Sequence, residues 1–268
     1  MIGIFDSGIG GLTIVKEMLR VLPEYSFTYL GDTARAPYGG RSQQVIYDFT
    51  RQAVDYLMQQ GCTLVVIACN TASAEALRKL QQEWLPAHYP DRRILGVIRP
   101  VAEQAVRATR FGRIGVVGTR ATVDSGAFDR ELKTLRVTTK VFSQACPLLV
   151  PLVEEGMLRR PETTKIIRNY LRSLHDKRID TLILGCTHYP ILYKQFQKIA
   201  GRRVKVLDSP KIVVAKLQEY LQRHPEIDTR LGKDSVHRYL ATDVSETFSR
   251  NAQHWLGQPV DFVAVKLE

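Results

Sequence analysis

Val65-Val66-Ile67-Ala68-Cys69-Asn70-Thr71 and Leu182-Ile183-Leu184-Gly185-Cys186-Thr187-His188 share one pattern, far apart in the chain. Each is an apolar run, a small residue, a cysteine, and then hydroxyl or amide side chains where a helix can open. A run that is apolar at every position suits a strand covered by helices on both faces of its sheet. Similar runs recur at 2–5, 26–30, 63–68, 94–98, 113–117, 138–142, 181–184 and 204–207. Helical periodicity fills the gaps; within 42–60, Val45, Ile46, Phe49, Ala53 and Leu57 fall on one face. This alternation predicts an α/β fold with mostly parallel sheets, and the repeated cysteine pattern suggests two similar half-domains with a cleft between them. The first half is expected to hold residues 1–97 plus 208–268, and the second 98–207. The chain crosses at 96–100 and returns near 207–210.

Composition narrows the class. With 268 residues, 44% of them apolar and 24% charged, the chain has the make-up of a folded protein rather than a disordered one. No run approaches the roughly 18 to 20 apolar residues of a membrane span. Met1-Ile2-Gly3-Ile4-Phe5-Asp6 has no basic leader and reads as no signal peptide. The formal charge of +11 invites a nucleic-acid reading. Its cations are spread along the chain, however, in pairs such as Arg92-Arg93, Arg159-Arg160 and Arg202-Arg203, with no zinc-finger spacing. Nucleic-acid binding is therefore not expected as the main function, and no membrane partner is expected. Four cysteines without a CxxC pair make no disulfide framework and point to a reducing cytoplasm.

Several turns follow the strand runs. In Phe5-Asp6-Ser7-Gly8-Ile9-Gly10-Gly11 the glycines permit a tight turn into a helix, with Asp6 or Ser7 available as its cap. The spacing is not that of a dinucleotide fingerprint. The stretch 31–40, GDTARAPYGG, ends a strand on the same side of a parallel sheet, where ligands of open α/β sheets bind. Gly118-Thr119-Arg120-Ala121-Thr122 supplies hydroxyls and N–H groups at another strand end, and Glu154 or Glu155 could bring an acid to the cleft. A free cysteine is ordinarily a small buried hydrophobe, and Cys62 and Cys146 are read that way. Cys69 and Cys186 differ by their matched settings. A thiol at a helix N-terminus has its pKa lowered, and His188 stands beside the second one. Two such thiols across a cleft would place one base on each face of a planar carbanion, which suits racemisation beside a carboxylate.

The residues that carry this reading resemble those of the glutamate racemases, cofactor-independent enzymes that make D-glutamate for peptidoglycan. The matching stretches are FDSGIGGLT at 5–13, GDTARAPYG at 31–39, ACNTASA at 68–74, GVVGTRAT at 115–122, ACPLLVPLVEEG at 145–156, LGCTHYPIL at 184–192 and ATDVSETFSRNAQHWLG at 241–257. The resemblance implies two α/β half-domains with the site between them, no cofactor and no metal, and Cys69 and Cys186 as catalytic bases. It implies that Asp6 supports Cys69, and that His188, with Glu154 nearby, supports Cys186. It implies that Ser7, Pro37, Tyr38, Gly39, Asn70, Thr71, Thr119, Thr122 and Thr187 hold the substrate, L- or D-glutamate; a homodimer is left open. One departure is Ile98-Arg99-Pro100-Val101, where the family commonly has a small or acidic residue before the proline and glycine after it. Competing readings are a racemase of aspartate or another amino acid, a basic binding module on a racemase-like scaffold, and a hydrolase using one thiol as nucleophile.

Overall fold

The computed structural model describes residues 1–267. Its strands are β1 (Ile2–Asp6), β2 (Phe27–Gly31), β3 (Leu64–Ile67), β4 (Arg93–Gly96), β5 (Arg113–Gly118), β6 (Lys140–Ala145), β7 (Thr181–Gly185), β8 (Lys205–Val206), β9 (His237–Ala241) and β10 (Val263–Ala264). The helices are α1 (Leu12–Val21), α2 (Gln43–Gln59), α3 (Asn70–Glu75), α4 (Leu77–Lys79), α5 (Leu85–His88), α6 (Ile98–Ala108), α7 (Arg120–Asp124), α8 (Ala127–Leu135), α9 (Leu149–Glu154), α10 (Pro161–Asp176), α11 (Tyr193–Ala200), α12 (Ser209–Arg223), α13 (Pro225–Asp228) and α14 (Glu246–Leu256). One sheet runs β10-β9-β2-β1-β3-β4 and the other β6-β5-β7-β8. All pairings are parallel.

The echo in the sequence is an echo in topology. In each sheet the chain makes a strand, steps to one side for the next, and returns to the other side for the third. A crevice opens where the strand order reverses, outside the carboxyl ends. Cys69 follows β3 and Cys186 follows β7, the third strand of each set. Strands β1, β2, β3 and β7 are buried along their whole length, and β3 is apolar at every position, as cover on both faces requires.

The boundaries differ from expectation in instructive places. The strand expected over 94–98 stops at Gly96, and Ile98-Arg99-Pro100 forms the first turn of α6, where proline lacks no needed N–H. The strand expected over 138–142 starts at Lys140 and runs to Ala145. Cys146 therefore follows a strand end, as Cys69 and Cys186 do, and is fully buried there. Strands β9 and β10 were not expected: His237-Arg238-Tyr239-Leu240 is only partly covered near the sheet edge and shows no apolar run. The cap of α1 is Gly11, not Asp6 or Ser7. Helix α6 carries the chain into the second sheet and α12 carries it back, and the two pack on each other.

The basic residues, scattered in sequence, gather in part along the starting edge of the second sheet. Arg113 lies beside Lys140 in register, and Lys205 opens β8. The ends of α10 and α11 lie on this edge, where cations complement the negative helix terminus. Arg202 and Arg203 there are exposed. Replacing both by glutamine is expected to leave kcat within a few-fold; a loss matching that of a cysteine deletion would contradict a bystander role. Arg92 has a structural use: its guanidinium donates to the carbonyls of Met58 and Cys62.

Candidate active site

Cys69 sits between the end of β3 and the start of α3 and is 5% exposed. Its Sγ accepts the Ala72 N–H at 3.4 Å and lies 3.2 Å from Ser7 Oγ, on the loop after β1. This is the arrangement that sequence reasoning expected to lower the thiol pKa. The balance goes the other way. Burial, with the negative charge of Asp6 and of Cys186 added to it, pushes Cys69 up to about 12, against the opposing bonds from Ser7 and Ala72. Helix α3 has only six residues, so its dipole is short, and desolvation of a thiolate outweighs it. Cys69 rests as a thiol, a proton donor.

Cys186 is placed differently. No helix opens at it: Tyr189–Leu192 is a 3₁₀ turn, and α11 begins only at Tyr193. The helix-end activation expected for this thiol is replaced by an imidazole. His188 Nδ1 lies 3.8 Å from Cys186 Sγ, and His188 Nε2 lies 2.8 Å from Glu154 Oε1 at the end of α9. Burial alone would push His188 down, but its hydrogen bonds to Cys186 and Glu154, and their charges, carry it up to about 10. At neutral pH the ring is an imidazolium that donates from both nitrogens. A cationic hydrogen-bond donor thus stands beside the Cys186 sulfur, where it can steady negative charge. Of the two acids open to the sequence, Glu154 is the one turned to His188; Glu155 is exposed.

Asp6 joins the two halves. It is fully buried, and burial raises its pKa while His188 lowers it. Its Oδ2 accepts the Gly8 N–H at 3.0 Å and its Oδ1 accepts the Thr187 hydroxyl at 3.3 Å. Its influence on Cys69 is electrostatic; its hydrogen bonds go to Gly8 and Thr187.

Three hydroxyls meet across the halves. Thr71 Oγ1, from α3, is 2.9 Å from Thr119 Oγ1 and 3.1 Å from Thr122 Oγ1, and the latter two are 3.0 Å apart. An entering carboxylate offers all three a charge-assisted acceptor in place of one another. The Gly39 carbonyl accepts the Ala121 N–H at 3.0 Å, tying the 36–40 loop to the second half. The Ala36–Pro37 peptide is cis. Tyr38 is buried with its hydroxyl given to Asp32, so only its backbone is free to face a ligand. Asn70 is buried at the head of α3.

Sequence reasoning missed several supports. Thr13 donates to the Thr187 carbonyl at 3.1 Å, Tyr29 donates to the Gly8 carbonyl at 2.7 Å, and Asp32 binds Arg35, Tyr38 and Thr242. Only the placement of Thr13 inside the FDSGIGGLT stretch hinted at the first. Gly10 packs against the second half so closely that a Cβ would overlap Thr187 Oγ1 and lie 2.6 Å from His188 Nδ1. Gly10→Ala is thus expected to displace the imidazole and lower kcat by on the order of 100-fold. An enzyme within twofold of normal would show that the contact relaxes freely.

Arg99 and Val101, the departures noted in the sequence, lie away from the thiols. Val101 is core, at 1% exposed. Arg99 pairs with Glu103 at 3.0 Å and Glu131 at 3.1 Å on the wall of a 470 Å³ cavity that also involves Arg78, Lys216 and Tyr220. None of the residues discussed above for the thiol site lines that cavity.

Comparison with known proteins adds the following. The family model described as Asp/Glu/hydantoin racemase matches residues 9–217. A glutamate racemase from Chlorobaculum tepidum is 46% identical over 256 residues, covering 96% of this chain and 92% of that one. The crystal structure of a glutamate racemase isoform from Bacillus anthracis superposes with a TM-score of 0.92 at 37% identity, covering 100% of this chain and 97% of that one. A glutamate racemase from Francisella tularensis, solved in complex with D-glutamate, gives a TM-score of 0.90 at 33% identity, with coverage of 100% and 97%. Among the described residues no helix is long and apolar enough to cross a membrane.

Proposed function

The chain belongs to the Asp/Glu/hydantoin racemase family, and from that premise we propose that it interconverts L- and D-glutamate, with Cys69 and Cys186 as bases on opposite faces of the α-carbon. The observation that carries the mechanism is the pair of thiols at equivalent strand ends of two sheets with complementary surroundings. One is held as thiol by burial and the other is paired with an imidazolium.

The reaction follows from those states. The α-hydrogen of an amino acid is a weak acid, so its removal needs a strong base at the carbon and stabilisation of the charge that moves into the carboxylate. Cys186 thiolate takes the proton from its side while His188 and Glu154 keep the pair charged. The C–H electron pair delocalises into the α-carboxylate, the carbon becomes planar, and the Cys69 thiol delivers its proton to the other face. The enzyme then holds Cys69 thiolate and Cys186 thiol, the state that runs the reverse reaction. The hydroxyls of Thr71, Thr119 and Thr122 serve as donors to one carboxylate. Ser7, Asn70, Thr187 and the backbone at Pro37, Tyr38 and Gly39 complete the substrate's polar contacts. Asp6, bound to Thr187, supports Cys69 as a base through its charge. We treat residues 1–97 with 208–268 and residues 98–207 as the two halves that bracket the substrate. Both thiols lie on one chain, so a single copy carries a complete site. With four free cysteines the working compartment is read as the cytoplasm, and the D-glutamate as destined for peptidoglycan.

The test is direct. Purified protein is incubated separately with L-glutamate and L-aspartate, without added cofactor, and chiral composition is followed. L-Glutamate is expected to approach equal amounts of both enantiomers. A requirement for pyridoxal phosphate or a metal would overturn the mechanism, and racemisation of aspartate alone would overturn the substrate.

A further inference from the structure

Helix α9 has only six residues and ends at Glu154, so the placement of that carboxylate depends on what holds the helix end. The carbonyls of Pro151, Leu152 and Val153 are taken by the N–H groups of Glu155, Met157 and Gly156. The carbonyl of Glu154 is taken from elsewhere: Asn251 Nδ2, on α14, donates to it at 2.7 Å. One turn further along α14, Trp255 stands edge-on to the His188 ring, at 5.5 Å between centroids and 87° between planes. The carbonyl of Trp255 is itself held by Lys16 Nζ, from α1, at 2.8 Å. One helix from the end of the chain thus touches both members of the His188–Glu154 pair while anchored to the other half.

We propose that Asn251 and Trp255 are positioning residues for the Cys186 base: α14 caps the end of α9 and walls the imidazole, so that Glu154 stays in register with His188 and the ring stays aimed at the sulfur. This rests on the two-thiol reading given above. Neither residue reaches a reacting atom. The charged and titratable groups facing His188 are Cys186 beside it, Glu154 from α9 and Asp6 from β1. From α14 it receives the uncharged Trp255, so α14 acts through geometry and not through charge.

Asn251 bears on the Glu154 carboxylate only through the backbone carbonyl it holds, and a double-mutant cycle isolates that link. Racemisation of glutamate is measured for the unmodified enzyme, Asn251→Ala, Glu154→Gln and the double variant. Asn251→Ala is expected to lower kcat by on the order of tenfold. In the Glu154→Gln background the same change is expected to lower kcat less than twofold, because the carboxylate it positions is already gone. The ratio of variant to unmodified kcat/KM should also climb as pH rises, in the same direction as for His188→Asn, since both changes weaken the support that the cationic ring gives the Cys186 sulfur. A helix that merely stabilised the fold would give a ratio flat in pH and equal losses in both backgrounds. Asn251→Leu, which nearly keeps the size, removes the donor and adds no charge, should behave as the alanine variant does. An unaffected Asn251→Ala enzyme, or an undiminished loss beside Glu154→Gln, would overturn the inference. Failure of the underlying reading shows separately, as a Cys186→Ala enzyme that racemises at the normal rate.

Discussion

Cys69→Ala and Cys186→Ala should each reduce racemisation by on the order of 1,000-fold or more, because each deletes a proton-transfer group with no neighbour able to replace it. The side chain hydrogen-bonded to Cys69 is Ser7, too weak a base to take over; the one beside Cys186 is His188, which is already an imidazolium. The two losses should be equal in kcat/KM for L- and D-glutamate. Enantiomers have equal free energies in water, so the ratio of the two kcat/KM values is fixed at one whatever the mutation. Asymmetry can appear only in kcat and KM taken separately, or in partial reactions that do not complete the inversion. A variant that retained near-normal racemisation would remove its cysteine from the mechanism.

His188→Asn should lower racemisation by on the order of 100-fold and change the shape of its pH dependence. With the imidazolium in place, a cation beside the Cys186 sulfur supports negative charge there during proton transfer. Without it, thiolate must form by ordinary loss of a proton, so the variant should recover as pH rises. Dividing the variant's kcat/KM by the unmodified enzyme's at each pH cancels the substrate's own ionisation, and the ratio should climb from pH 6 to pH 9. A flat ratio would mean that His188 acts only as packing. The same group links pH to stability. Its pKa is raised from 6.5 to about 10 in the folded protein, so the stabilisation it brings is complete below the unfolded value and is lost as pH rises through about 10. His188→Asn should therefore cost more stability at pH 6 than at pH 10, as read from thermal midpoints across that range.

The fold was legible where burial is complete on both sides. Leu64-Val65-Val66-Ile67 and Leu182-Ile183-Leu184 admit no polar residue because the sheet lies between layers of helices. Strand β9 was not legible, since its half-covered position tolerates Arg238 and leaves Tyr239 and Leu240 only partly buried. The thiols were legible because the same local pattern occurs twice, and the family resemblance named the residues around them. Their electrostatics were not. Cys69 has the helix start that lowers a thiol pKa, but Asp6 and its own burial reverse the direction, and neither is encoded near residue 69. Cys186 looked like the same motif, but Pro190 falls in a 3₁₀ turn and the nearest activating group became the His188 ring. Contacts between segments remote in sequence, such as Asp6 with Thr187, Thr71 with Thr119 and Thr122, and Asn251 with Glu154, follow from how the two sheets face each other. No periodicity within one segment carries that information.

The two-base assignment meets its most direct test in isotope exchange. Each alanine variant is incubated in D₂O with L-glutamate and, separately, with D-glutamate, and loss of the α-proton signal is followed by NMR. A remaining thiol can still remove and return a proton on its own face, so each variant should exchange one enantiomer with solvent without inverting it. The enantiomer exchanged by Cys69→Ala should be the one left untouched by Cys186→Ala. If both variants exchanged the same enantiomer, the thiols would not lie on opposite faces of the α-carbon and the account would be wrong.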